Sequence, residues 1–195
     1  MINIIHQDHR NIMQLLKVIE NDIRLLKADH EIDFQLVKSI TAYLKQYADK
    51  YHHPMENLIY AHYLKYRVVD NQVPNRLEGD HKALKTLTTE LDDMLNMILL
   101  DAIIPKETVI ETLEKFVEKQ TNHLIYEEDE ILPVIQRSLT EDDWAHLNLQ
   151  WKFKEYEDPL FGDSISKQFK ALSEHIRQSD NAAAHHSLDQ VELTH

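Results

Sequence analysis

Apolar residues recur along the start of the chain in alternating steps of four and three: Ile5, Ile12, Leu16, Ile19, Ile23 and Leu26, with His9 filling the one polar place in the series. Side chains so spaced share one stripe of an α-helix, which must bury against a partner. A first helix is therefore predicted over about 2–28, ended by the polar stretch 28–33. A second is predicted from about Phe34 to Tyr66, where Val37, Leu44, Ala48, His52, Glu56, Ile59 and Tyr63 lie near one face. Pro54 sits inside it; a proline lacks a backbone donor and crowds the preceding turn, so a kink is expected. Val68–Pro74 reads as a connection. A third helix runs from about Asn75 to Leu100, with Leu77, His81, Leu84, Leu91, Leu95 and Ile98 as its seam. Pro105 suits the first position of a fourth helix, where its missing donor is not needed. That helix reaches about Leu139 through Val109, Leu113, Phe116, His123, Glu127 and Ile131, with Pro133 near its end.

Four long helices with short links predict an all-α fold, an up-down-up-down four-helix bundle over residues 1–140. Residues 141–178 read as a short helical appendage. Thr140 can cap a helix carrying Trp144 and Trp151, Asp158 to Gly162 forms a turn, and Ile165, Phe169, Leu172 and Ile176 make a further stripe. The polar, alanine-rich end, 179–195, is expected to be disordered.

Composition narrows the chemistry. Two glycines and five prolines in 195 residues provide few turns, which favours long helices over a sheet. A net charge of -13 repels phosphate, so neither nucleic acid nor an anionic membrane is expected as a partner. No apolar run reaches the length of a membrane span, and His6, Asp8 and His9 interrupt any signal-peptide core near Met1. The chain has no cysteine. Disulfides, thiol nucleophiles, thiolate zinc sites and iron–sulfur clusters held by the chain are thereby excluded, and a cytoplasmic location is expected. Thirteen histidines stand out, because imidazole is the commonest metal ligand.

Their positions form a repeat. Asp8-His9-Arg10 recurs as Asp80-His81-Lys82, an offset of 81 − 9 = 72, and His52-x-x-x-Glu56 recurs as His123-x-x-x-Glu127, an offset of 123 − 52 = 71. Residues four apart share a helical face one turn removed, so an imidazole and a carboxylate can meet there. Two such pairs, with one histidine from each remaining helix, bring four imidazoles and two carboxylates to one level of the core. A single core histidine is commonly a satisfied packing residue, and one buried glutamate could be neutralised by such a neighbour. Two buried glutamates among four histidines are hard to explain without a cation, because an unpaired buried charge costs several kcal/mol. Imidazole and carboxylate ligation without sulfur favours iron or manganese, with zinc possible.

The chain resembles the hemerythrin-like proteins, the cation-binding group named for its His-His-Glu pattern, in a bacterial branch with a C-terminal extension. The resemblance lies in Asp8-His9-Arg10-Asn11-Ile12, His52-His53-Pro54-Met55-Glu56, Gly79-Asp80-His81-Lys82-Ala83-Leu84 and His123-Leu124-Ile125-Tyr126-Glu127-Glu128, and covers roughly 1–140. It implies a non-heme centre of two iron ions, oxo- or hydroxo-bridged, held by His9, His52, Glu56, His81, His123 and Glu127, with the glutamates bridging. The oxygen carriers of that group have a further histidine four after the third-helix one, where this chain has Lys85. Their final aspartate lies five after the last histidine, whereas here Glu127 stands four after His123 and Glu128 five after it. A missing ligand leaves an open position, which favours a reactive centre over reversible oxygen carriage.

Spacing selects His52 over its neighbour His53, which points about a hundred degrees away around an α-helix and replaces it only if Pro54 distorts the turn. Glu128 and Glu130 read as a solvated acidic face, and His6 as an exposed residue of the first turn. His30, His62, His146 and His175 read as surface, and His185, His186 and His195 lie in the tail. Tyr51 and Tyr126 adjoin proposed ligands as hydrogen-bond donors or as packing. The leading function is that of a di-iron protein that binds and consumes hydrogen peroxide or dioxygen in oxidative-stress defence, with catalase-like turnover. The alternative is a binding module for oxygen, nitric oxide or iron, as sensor, store or donor. The oligomeric state stays open, a homodimer included.

Overall fold

The computed structural model describes residues 1–68, 76–153 and 155–179, which form helices and no strand. Helix α1 spans Ile2–Lys27, and its apolar seam is buried. The second rod is α2 (Phe34–Tyr43), a π-helical segment Leu44–His52, and α3 (His53–Arg67). The third is α4 (Arg76–Leu99). The fourth is α5 (Lys106–Tyr126), a π-helical segment Glu127–Ile131, and α6 (Leu132–Ser138). α1 packs along α5, α2 along α4, and α4 beside α5, so the rods close around one core as the seams predict. Most of the predicted link over Val68–Pro74, and the tail beyond 179 with its three histidines, lie outside the described residues.

Local chemistry sets the ends and joints. Asp33 caps α2 by accepting the Gln35 and Leu36 amides. Pro105 stands at the cap of α5, one position before the first helical residue. Asp29 and Asp101 end α1 and α4 in the left-handed region, with φ of 60 and 63, and their offset, 101 − 29 = 72, extends the repeat to the caps. His30 N donates to Leu25 O and Ala102 N to Met97 O, the matching closing bonds of the two helices. Where a kink is expected at Pro54 the helix has a wider turn: each π-helical segment ends two residues before a proline, Pro54 or Pro133. A proline ring displaces the carbonyl of the turn before it, and a π turn accommodates that displacement without ending the helix.

The chain divides into two compact units, residues 1–156 and 157–195. In the first, α7 (Glu141–Gln150) opens with a Thr140–Asp143 capping box. Its buried Leu147 joins Ile5, Met55, Ile59, Leu132 and Ile135 in a cluster flanked by Trp144 and Trp151. Asp143 also accepts His62 Nε2 and Arg67 Nε from α3, each at 2.9 Å. His62 is therefore a half-buried latch residue and not free surface. In the second unit, Asp158 Oδ1 accepts the amides of Leu160 and Phe161, which makes the predicted turn. A side chain at Gly162 would collide with Asp158 O and the Glu157 side chain. A 3₁₀ turn, Lys167–Phe169, leads into helix 170–179, with Phe169, Leu172 and Ile176 buried. No helix among the described residues is long and apolar enough to cross a membrane.

One buried charge opposes the fold. Asp22 on α1 is buried, its Oδ2 has no hydrogen-bond partner, and burial, with Asp33 nearby, raises its pKa to about 6. A raised carboxyl adds stability only while protonated, and that contribution is lost as pH rises through about 6. Asp22→Asn is expected to stabilise the protein by about 1–2 kcal/mol at pH 7 and to have little effect near pH 4, measured by thermal melts at both values.

Candidate metal centre

The two halves meet at one level of the bundle. His9 comes from α1, His52 from the end of the first π-helical segment, Glu56 from α3, His81 from α4, His123 from α5, and Glu127 from the start of the second π-helical segment. All six are buried. The carboxylates lie between the imidazoles. His9 Nε2 is 2.9 Å from Glu56 Oε1 and 3.2 Å from Glu127 Oε2. His52 Nε2 is 3.3 Å from Glu56 Oε1. His81 Nε2 is 3.3 Å from Glu56 Oε2 and 3.3 Å from Glu127 Oε1, and His123 Nε2 is 3.2 Å from Glu127 Oε2.

His53 belongs to the same nest. It is buried, with its ring stacked on His81 at a centroid distance of 4.2 Å and 6.0 Å from His123. The expectation that it points away overlooks that a bundle helix has two neighbours. His52 turns toward α1 and His53, farther round the helix, toward α4, so the two rings reach the nest from different sides. Potential ligand atoms within 4.8 Å of one another form two groups, His9, His52 and Glu56, and His53, Glu56, His81 and His123. Glu56 is common to both.

Outer partners orient the rings. Nδ1 of His9 is 2.7 Å from Glu128 Oε1, that of His52 is 3.1 Å from Asp8 Oδ2, that of His53 is 3.5 Å from Asp49 Oδ1, and that of His81 is 3.1 Å from Asn57 Oδ1. Each acceptor favours a proton on Nδ1 and turns the Nε2 lone pair inward. Asp8 is held in turn by the Tyr47 hydroxyl, which donates to its Oδ1 at 3.0 Å. Spacing alone missed Asp49 and Asn57 in these roles; Asp8 was visible in the repeated motif, but not its use. Glu128 corrects the sequence reading: it is half-buried and grips both His9 and His6, while Glu130 is exposed. Tyr51 packs on Tyr156 and Phe153, and Tyr126 lies under the Arg76 guanidinium at 4.7 Å.

The electrostatics match a site built for cations. Burial opposes charge on His9 and His81, yet the neighbouring carboxylates of Glu127 and Glu56 outweigh it, raising the pKa values of the two imidazoles to about 10 and about 9. Burial and neighbouring imidazoles hold His53 well below the ordinary imidazole range, and His123 is lowered chiefly by burial. Glu56 lies well below the usual carboxylate range: burial opposes this, but His52, His81 and His9 prevail. Buried atoms without a hydrogen bond cluster here: Glu56 Oε2, Glu127 Oε2, His52 Nε2 and both ring nitrogens of His123. Buried polar atoms without partners are costly, and cations among them would satisfy the carboxylate oxygens, His52 Nε2 and one nitrogen of His123 together, the other His123 nitrogen being a donor. The residues fit a metal, and their nitrogen and oxygen donors suit iron or manganese, with zinc possible. A groove of about 510 Å³ between α4 and α5 is lined by Arg76, Leu84, Lys119, His123 and Tyr126.

An all-helical bundle enclosing this nest defines a metal-binding helical domain. The chain belongs to the hemerythrin family, described as the Hemerythrin HHE cation binding domain, whose profile matches residues 1–135. Neither a curated protein nor a solved structure matches the chain.

Proposed function

We propose that the nest holds two non-heme iron ions and that the loaded protein reacts with hydrogen peroxide or dioxygen, in defence against oxidative stress. The observation that carries this reading is Glu56, shared by two groups of potential ligands, with Glu127 set opposite it among His9, His81 and His123. His9 and His52 would serve one ion, His53, His81 and His123 the other, and the two glutamates both. A bound iron pair supplies two-electron exchange with peroxide or dioxygen. The chain supplies the rest. Outer hydrogen bonds fix the imidazoles, packed helices shield the nest, and the α4/α5 groove gives a small ligand a way to His123. His6 and Glu128, half-buried beside His9, can hold a proton near the nest. Lys85 adds no imidazole at its position, which supports a reactive centre over a carrier.

Metal analysis of purified protein, with optical spectra before and after peroxide, tests this. About two irons per chain are expected, with a spectral change and oxygen evolution that fall in His81→Ala. If loaded protein neither consumes peroxide nor changes its spectrum, a binding module for oxygen, nitric oxide or iron takes the place of the enzyme.

A further inference from the structure

A run of aromatic rings extends from the nest to the surface of the first unit. Tyr47, buried, lies with its ring centroid 5.9 Å from Tyr156 and 6.1 Å from Tyr51. Tyr51 and Tyr156 stack at 3.3 Å. Phe153 follows at 5.1 Å from Tyr51 and Trp151 at 5.3 Å from Phe153. At the inner end, the Tyr47 hydroxyl donates to Asp8 Oδ1 at 3.0 Å, and Asp8 Oδ2 lies 3.1 Å from His52 Nδ1. At the outer end, Phe153 is 45% exposed. A cavity of about 220 Å³ opens among Tyr47, Tyr51, Met55, Trp151, Phe153 and Tyr156. Packing alone would be served by phenylalanines. Three phenols in mutual contact, the innermost hydrogen-bonded to the carboxylate that orients His52, add oxidisable groups along a path.

We propose that this tyrosine column is a one-electron path into the nest and that the cavity receives a small phenolic reductant, which gives the protein a peroxidase activity. The proposal rests on the peroxide reading above. Tyr47 gives an electron toward the nest, and its hydroxyl proton moves to Asp8 Oδ1 along the existing hydrogen bond. An electron from Tyr51 or Tyr156, whose phenolic proton passes to water, refills Tyr47, and the proton returns from Asp8. The phenol in the cavity restores the outer tyrosine by giving it one electron and one proton. Two passages, with two protons taken up from water where the peroxide is reduced, balance the reaction: one hydrogen peroxide and two phenols give two waters and two phenoxyl radicals, which couple in solution. Aromatic walls with Met55 suit a single-ring phenol by stacking and sulfur contact, and a strongly anionic chain disfavours an acidic donor.

The test compares iron-loaded wild type with Tyr47→Phe at equal iron content. Tyr47→Phe keeps the ring and removes only the O–H. With peroxide and guaiacol, wild type is expected to form the coupled coloured product. Without guaiacol, freeze-quench electron paramagnetic resonance is expected to show a tyrosyl radical. Both should fall about tenfold in Tyr47→Phe. Equal radical yield and equal guaiacol oxidation in the two proteins overturn the proposal, as does a wild type whose optical spectrum responds to peroxide without a radical. If that spectrum does not respond, the peroxide reading has failed, and the path is judged by a flash-generated oxidant in solution. The radical is then expected to settle on Tyr47, with a hyperfine pattern that changes in Tyr47→Phe; an unchanged pattern overturns the path.

Discussion

Glu56→Ala is expected to lose nearly all bound iron and not just half of it. Its Oε1 lies 2.9 Å from His9 Nε2 and 3.3 Å from His52 Nε2, and its Oε2 lies 3.3 Å from His81 Nε2, so one side chain faces both groups of potential ligands. Removing an outer partner of a ligand commonly weakens metal binding by about 10–100-fold, so removing a carboxylate shared by two ions should exceed about a hundredfold for each. Glu127→Ala should release at least one iron and weaken the other, since Glu127 meets His9, His81 and His123. The helices should persist in both variants, because the seams above and below the nest are apolar. Metal analysis after desalting, with circular dichroism on the same samples, decides the matter. An iron content in Glu56→Ala equal to wild type would remove the shared-carboxylate arrangement.

Stripping the metal should lower the melting temperature and give the stripped protein a stability maximum near neutral pH. Without cations, His9 and His81 hold protons against Glu56 and Glu127, with pKa values of about 10 and about 9. Histidines with raised pKa stabilise the fold fully below the unfolded value of about 6.5, and that contribution is lost as pH rises toward about 9–10. His53 and His123 are lowered, so their contribution is present above about 6.5 and is lost as pH falls through their folded values. The stripped protein should therefore melt earlier on either side. A loss of about 2 kcal/mol corresponds to a fall of roughly 4–8 °C for a chain of this size. Iron held by His9 and His81 would displace their protons, so loading should release about two protons per chain near neutral pH and bind more tightly as pH rises. Calorimetric titration in buffers of different ionisation enthalpy measures that release. A proton count of zero would show that the metal binds away from these histidines.

Much of this arrangement is visible in the chain before any coordinates. The seams of α1, α4 and α5 follow from apolar spacing, and the two offsets foretell that His9, His52, Glu56, His81, His123 and Glu127 reach one level. What spacing does not carry is the lateral neighbourhood. His53 looks averted when its helix is considered alone and proves to be inside once α4 stands beside it. Glu128 looks solvated until α1 brings His6 and His9 against it. The Tyr47–Asp8–His52 chain joins residues 39 and 44 positions apart, through hydrogen bonds that no periodicity records. The π-helical segments were legible only as two prolines, since a proline signals that a helix must adapt and not how.

The backing of the imidazoles is uneven, and this has an electronic consequence. His9 and His52 each lean on a carboxylate, Glu128 or Asp8, at 2.7 Å and 3.1 Å. On the other side, His53 has Asp49 at a looser 3.5 Å, His81 has the neutral amide of Asn57, and His123 has no hydrogen bond at either nitrogen. An imidazole that donates to a carboxylate becomes a stronger electron donor. Two ions in this nest would therefore not be twins despite the duplicated helices around them. The place beside α1 favours the more oxidised partner and the place beside the α4/α5 groove the more reduced one, so the half-oxidised protein should hold its valences apart and show two distinct Mössbauer doublets.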